Sequence, residues 1–290
     1  MLKRMILLLA VVLASGCGNG GNEASGGRPQ DSGESMGFGL WGDGALDDYQ
    51  LIHAVPSDRY TLNMTILNDY SEPHAYRVLF FVDYTAVPIR HNGQVVSQID
   101  VTVPARDRIE NRKVVLFDLP SGKHQVLAIL IKEPDSGLEN GAFVPSPEVY
   151  MSRKLEVRVG SSAEAPTSVP QNVPTIAVAN RAFAPFVTAE RPSEERAVRR
   201  ALTLLPSSGE LWLNAYAEAG QSYLALAVTP TGDMLFERHY RADKTGMASL
   251  PLEWKHPPQG SHPLIVVVKA PFDSPSILDV SIVNRLQVGS

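Results

Sequence analysis

The chain has 290 residues, 44% hydrophobic and 20% charged, with 22 glycines and 22 prolines; that length fits about two domains of roughly 100–200 residues, and the balance is that of a globular protein. A formal charge of −5 excludes a broadly basic nucleic-acid binder, and so many prolines exclude a body of long helices. The single cysteine, Cys17, excludes both an intrachain disulfide framework and a thiolate zinc cluster.

The chain opens on a basic pair, Lys3 and Arg4, followed by an apolar run from Met5 to Ala14. That run is about half the 20 or so residues a membrane-crossing helix needs and has the size of a signal-peptide core. It closes on Leu13-Ala14-Ser15-Gly16-Cys17. This stretch resembles the lipobox of bacterial lipoproteins, where small residues precede an invariant cysteine; Ala14 stands where leucine is commoner. The resemblance implies a signal peptide over residues 1–16, cleavage after Gly16, and lipid attachment at Cys17. It places the chain on the extracytoplasmic face of a cell membrane. Lipidation would also remove an unpaired thiol that is a liability in an oxidising compartment. Several acyl chains anchor stably where one holds only marginally. Losing Lys3 and Arg4 from the 26 basic residues takes the charge from −5 to −7, with no polybasic patch to hug anionic lipid.

Residues 17–44 read as a lipidated flexible tether, because Gly18, Gly20, Gly21, Gly26, Gly27, Gly33, Gly37 and Gly39 crowd a stretch with few large apolar side chains. Such composition buries too little surface to fold and behaves as a spacer. A stiffer linker is expected over 160–174, marked by Pro166, Pro170 and Pro174. Between and after them lie 45–159 and 175–290, each the length of one sandwich domain.

These two segments read as repeats. Pro56-Ser57 then Leu62-Asn63 in the first matches Pro206-Ser207 then Leu213-Asn214 in the second. Tyr76 and Tyr223 each open an apolar run, and Pro120-x-Gly122-x-His124 matches Pro258-x-Gly260-x-His262 before another. The pattern within them is β: Tyr60, Leu62, Met64 and Ile66 alternate with polar residues at the period of a half-buried strand. Further strands are expected in the first copy at Val78–Tyr84, Ile99–Val103, Lys113–Phe117, Gln125–Lys132 and Leu155–Val159. In the second they are expected at Thr175–Ala179, Leu211–Ala217, Tyr223–Thr229, Met234–Tyr240, Ala248–Leu252, Leu264–Lys269 and Asp279–Leu286. His91-Asn92-Gly93 and Asp135-Ser136-Gly137 mark turns. Ser193–Leu202 could be a capped helix, in competition with an extended Ala201–Leu205 matching Gln50–Val55.

Six or seven short strands per copy imply an all-β chain of two tandem antiparallel sandwiches. The corner Leu119-Pro120-x-Gly122-x-His124, repeated at Pro258 to His262, resembles the immunoglobulin-like and fibronectin type III-like modules of bacterial surface proteins. That resemblance implies adhesion, spacing or partner binding and brings no catalytic residues with it. The fold alone hosts many functions.

No nucleophile elbow, paired zinc histidines or phosphate loop is present, so no catalytic residue, metal or cofactor is expected. His124 and His262 read as corner side chains bonded to a backbone carbonyl. The acidic stretch Asp43 to Asp48 has part of the spacing of a calcium loop but reads as a turn into the domain. The most informative feature is apolar excess. Val78–Val82 and Val126–Ile131 are apolar on both faces, where a sandwich strand needs only one. In an immunoglobulin-like sandwich these are the third and sixth strands, adjacent in one sheet, and Leu224–Val228 and Leu264–Val268 are their equivalents. Leu79, Phe81, Leu127 and Ile129 would then form an outer face that soluble proteins seldom leave bare. A cover is expected: the chain before the first strand, the other domain, or a protein partner in the cell envelope. The function expected is non-catalytic, a membrane-anchored binding, adhesion or envelope-assembly module. A solute-binding lipoprotein and a β-scaffold envelope enzyme are the alternatives.

Overall fold

The computed structural model describes residues 34–290 apart from 48, 50, 138–147, 161–168, 179–183, 195–198, 207, 255–256, 274, 277–278, 284 and 290. The signal peptide, Cys17 and the tether up to Gly33 lie outside the described residues, as do parts of the 160–174 linker and of the stretch 193–202.

The first half forms β1 (Met36–Gly42), β2 (Ile52–Val55), β3 (Tyr60–Asn68), β4 (His74–Val82), β5 (Thr85–Ala86), β6 (Ile89–His91), β7 (Gln94–Val96), β8 (Gln98–Val103), β9 (Asp107–Leu116), β10 (Gly122–Lys132) and β11 (Tyr150–Val159). The second forms β12 (Gln171–Val173), β13 (Thr175–Ile176), β14 (Phe186–Thr188), β15 (Leu204–Leu205), β16 (Trp212–Ala217), β17 (Ser222–Val228), β18 (Met234–Ala242), β19 (Gly246–Pro251), β20 (Leu264–Lys269), β21 (Val280–Ile282) and β22 (Gln287–Val288). Every strand expected from the alternation has a counterpart here.

The first half is a two-sheet sandwich. One sheet runs β1-β3-β9-β6-β7; the other runs β2-β11-β10-β4-β5, with β8 also on β4. The second half repeats the plan, with β14-β16-β19 in one sheet and β21-β20-β17-β18 in the other. In each, a short strand pairs in parallel with the last strand, β2 with β11 and β15 with β22. Gly160 N–H donates to Val55 and Gly289 N–H to Leu205, closing both pairs alike. Two sheets holding the first, second and fifth long strands against the third, sixth and seventh make the immunoglobulin-like Greek key. The chain is therefore all-β, two such sandwiches in tandem. Each has its own core: Tyr60, Leu62, Phe80, Val126 and Leu130 in the first, Leu213, Tyr240, Leu250 and Ile265 in the second.

Two expectations are corrected. The tether does not run to residue 44: Met36–Gly42 is β1, paired with β3 over seven positions. Met36, Phe38 and Leu40 alternate into the core, and close packing favours glycine at two positions of the strand, Gly37 and Gly42. A Cβ at Gly37 would lie 3.0 Å from Leu67, and one at Gly42 would lie 2.5 Å from the Tyr60 hydroxyl. The linker likewise ends early, because Gln171–Val173 pairs with β18 and Val173 enters the second core. Within the stretch 201–205, expected as extended, Leu204–Leu205 forms β15 and takes the place of β2. Only Asn92-Gly93 makes the expected turn with both residues at positive φ (50° and 80°), a two-residue hairpin joining His91 to Gln94. Asp83-Tyr84 makes another (47° and 67°) that the sequence did not announce.

Candidate functional site

The third and sixth strands are neighbours in both sandwiches. Val126 pairs with Val82 and Leu130 with Val78; Leu224 pairs with Val268 and Val228 with Leu264. Alternation then divides their side chains. Val78, Phe80, Val126, Ala128 and Leu130 face the first core, while Leu79, Phe81, Leu127 and Ile129 face outward. The outward four are at most 2% exposed. They belong to one apolar cluster with Leu224, Leu226, Val228, Leu264, Val266 and Val268 of the second sandwich. Of the three covers expected, the structure supplies the other domain. The face at Leu79, Phe81, Leu127 and Ile129 is therefore not open to a partner in this arrangement.

Polar side chains lock the rim of this joint. The Lys154 ammonium, almost fully buried, donates to the Ala270 carbonyl at 2.9 Å and lies 3.3 Å from the Asp279 carboxylate. Burial lowers the Lys154 pKa, and Asp279 opposes that shift. Asp279 is held in turn by the Ser276 N–H at 2.7 Å. The Arg285 guanidinium donates to the carbonyls of Lys132, Glu133 (3.0 Å) and Ser136 (3.5 Å). The Tyr84 hydroxyl donates to the Pro271 carbonyl, and its ring meets Phe272 edge-on at 5.6 Å. Burial raises the Tyr84 pKa, so the phenol stays a donor. A bulky residue at positive φ is strained; at Tyr84 the turn directs the ring into the joint. Sequence reasoning missed these residues because, although Tyr84, Asp279 and Arg285 fall within predicted strands and Lys154 just before one, none belongs to the apolar stripe that marked the face.

The corner histidines do bond backbone carbonyls, but not alike. His124 faces the Pro120 carbonyl through Nε2 at 2.9 Å and the Asp83 carboxylate through Nδ1 at 2.7 Å. Asp83 also accepts the Gln125 N–H at 2.9 Å. The Asp83 hydrogen bond raises the His124 pKa against burial. His262 faces the Leu286 carbonyl at 3.3 Å, and burial lowers its pKa. The Asp47 carboxylate accepts the N–H groups of Tyr49, Leu51 and Ile52, which makes it the anchor of its own loop. An open groove of about 720 Å³ on the second sandwich holds Glu218, Lys269 and Asp279. There Lys269 and Glu218 pair at 3.0 Å, and that bond raises the lysine pKa, keeping it charged.

No family model and no curated relative matches the sequence. Among solved structures, a CARDB domain from Pyrococcus furiosus, solved with di-metal ions, is 10% identical, with a TM-score of 0.28 over 43% of this chain and 88% of that one. A chain of the human seminal complex of zinc 2-glycoprotein and prolactin inducible protein is 11% identical, with a TM-score of 0.29 over 45% and 98%. Red sea bream transglutaminase is 11% identical, with a TM-score of 0.27 over 88% of this chain and 31% of its own.

Proposed function

We propose that this chain is a lipid-anchored, extracytoplasmic binding or envelope-assembly module without catalysis of its own. The observation that carries the reading is the N-terminal sequence: a basic pair, ten apolar residues and small residues leading to the only cysteine, Cys17. Supporting it, residues 18–33 are rich in glycine, serine and asparagine, a composition suited to a spacer between a lipidated Cys17 and β1. A two-sandwich body whose apolar faces close on each other suits display of loops and strand edges more than gated capture of a solute between lobes.

The test is metabolic labelling with an alkyne fatty acid in a bacterial host, followed by membrane fractionation. The wild-type chain should carry label and sediment with membranes. Cys17→Ala should carry none and keep its leader uncleaved or appear as a soluble form. Label retained in Cys17→Ala, or an unmodified thiol on the mature wild-type chain, would sink the anchor.

A further inference from the structure

The two sandwiches differ at one mouth, the gap between their sheets on the side of the fourth and fifth long strands. In the second sandwich that gap is closed by the chain itself. Gln171–Val173 pairs with β18 of one sheet, and Thr175–Ile176 pairs with β19 of the other. Val173 plugs the core between them. The Asp243 carboxylate fixes the crossing by accepting the Thr175 N–H and hydroxyl, both at 3.1 Å. Gly246 makes room for it, since a Cβ there would collide with the Ile176 carbonyl.

In the first sandwich the equivalent strands are β8 and β9. Among the described residues β8 pairs only with β4, and β9 carries β6 only at Val114 and Val115. The His91 imidazole takes the next carbonyl, that of Lys113, at 2.9 Å. Beyond it, Asp107–Arg112 has β3 on one side and, among the described residues, no strand on the other. What remains is a groove of about 340 Å³ floored by Met64, Ile99, Val101 and Ile109. Arg112 stands opposite the core residue Met64 in the ladder, and so on the inner face of the sheet, yet its side chain is exposed at the groove. No carboxylate pairs with it among the described residues; Asp100, on the same rim, is held by Arg77 at 2.6 Å and Gln98 at 2.7 Å. The tether up to Gly33 offers the groove no large apolar side chain.

We propose that this mouth is a docking site for an extended segment of a partner protein. The segment adds as a strand along Asp107–Arg112, sets an apolar side chain on Val101 and Ile109, and brings a carboxylate to Arg112. It would do for the first sandwich what residues 171–176 do for the second. Strand addition takes its affinity from main-chain hydrogen bonds and its selectivity from alternate side chains. The site deepens the binding reading above and rests on it, but not on the lipid anchor, so the two can fail separately.

The test is selection of a random dodecapeptide phage library on the full chain in detergent. Selected peptides should alternate apolar residues and carry Asp or Glu, and should slow amide exchange across 107–112. Val101→Trp, which fills the groove, should weaken them at least about tenfold. Arg112→Glu changes an exposed side chain without filling the groove, and should weaken acidic peptides by about tenfold while sparing lysine-bearing versions. Failure to enrich any peptide overturns the site, as does enrichment that both variants leave intact. Protection of 107–112 in a peptide-free dimer would overturn it too, by making a second copy the occupant.

Discussion

Phe81→Ala tests whether the joint between the sandwiches is part of the folding core. Phe81 is fully buried in the cluster shared by both halves. Truncating a buried phenylalanine costs about 3–5 kcal/mol, because the cavity only partly collapses. On a solvent-facing strand position the whole propensity range spans only about 1 kcal/mol. For a body of this size each kcal/mol moves the melting temperature by about 2–4 °C, so a fall of roughly 6–20 °C is expected by calorimetry on the full chain. Hydrogen exchange locates the effect. Amides of β17 and β20, in the half that does not carry the substitution, should exchange faster along with those of β4 and β10. Leu130→Ala, facing the first core, is the control that acts directly on one sandwich. A loss below about 1 kcal/mol, or unchanged exchange in β17 and β20, would refute the shared joint.

Asp279→Asn should destabilise the chain by about 3–5 kcal/mol in urea melts, since it strands the buried Lys154 charge; Lys154→Met combined with Asp279→Leu should recover most of that loss. Tyr84→Leu and Phe272→Leu in a double-mutant cycle should couple by about 0.5–1.5 kcal/mol, the worth of an edge-on ring pair, and additive losses would deny the contact. The two corner histidines should respond to pH with opposite signs. The His124 pKa is raised, so its stabilisation is full below the unfolded value near 6.5 and is lost as pH rises through the folded value above it. The His262 pKa is lowered, so stability is full above about 6.5 and is lost as pH falls through the folded value below it. Urea midpoints from pH 5 to 8 should therefore show His124→Gln closing its deficit toward alkaline pH and His262→Gln closing its own toward acid pH; parallel profiles would contradict the difference that Asp83 makes.

The fold was legible where side-chain alternation carried it. Tyr60 to Ile66 alternate because one face meets the core, and Val78–Val82 together with Val126–Ile131 are apolar on both faces because both are covered. β1 was obscured because it carries several glycines, two of which, Gly37 and Gly42, pack closely on Leu67 and Tyr60. That makes a strand look like a tether in composition. β12 was hidden by the prolines on either side of it, Pro170 and Pro174, which mark linkers but are tolerated beside short edge strands. Of the site, the four outward residues were found and their cover was left open among three candidates. Pairing within a sheet follows from local pattern, whereas which apolar face meets which depends on geometry between sheets. Lys154, Arg285 and Tyr84 bond to carbonyls far away in the chain, and a carbonyl acceptor leaves no trace in residue type.

Those carbonyl acceptors explain why the same face is apolar in both repeats. Lys132-Glu133-Pro134 ends the sixth strand of the first sandwich, and Lys269-Ala270-Pro271 ends that of the second. Glu133 and Ala270 share a left-handed turn, at φ 48° and 46°, which brings the carbonyls of these corners out toward the opposing sandwich. Arg285, from the last-strand region of the second half, binds the first corner; Lys154, from the last strand of the first half, binds the second. The contact is thus reciprocal, like the self-complementary surface of a two-fold dimer. It is built here from two linked copies instead of two chains. In such a contact any apolar residue favoured on one copy's outer face is favoured at the matching place on the other. Leu79, Phe81, Leu127 and Ile129 therefore have their counterparts in Leu224, Leu226, Val228, Leu264, Val266 and Val268. With both of these faces spent on each other, strand edges and loops are what remains for the proposed partner segment, and among the described residues only the mouth beside β9, of the two that match, is left without a pairing strand.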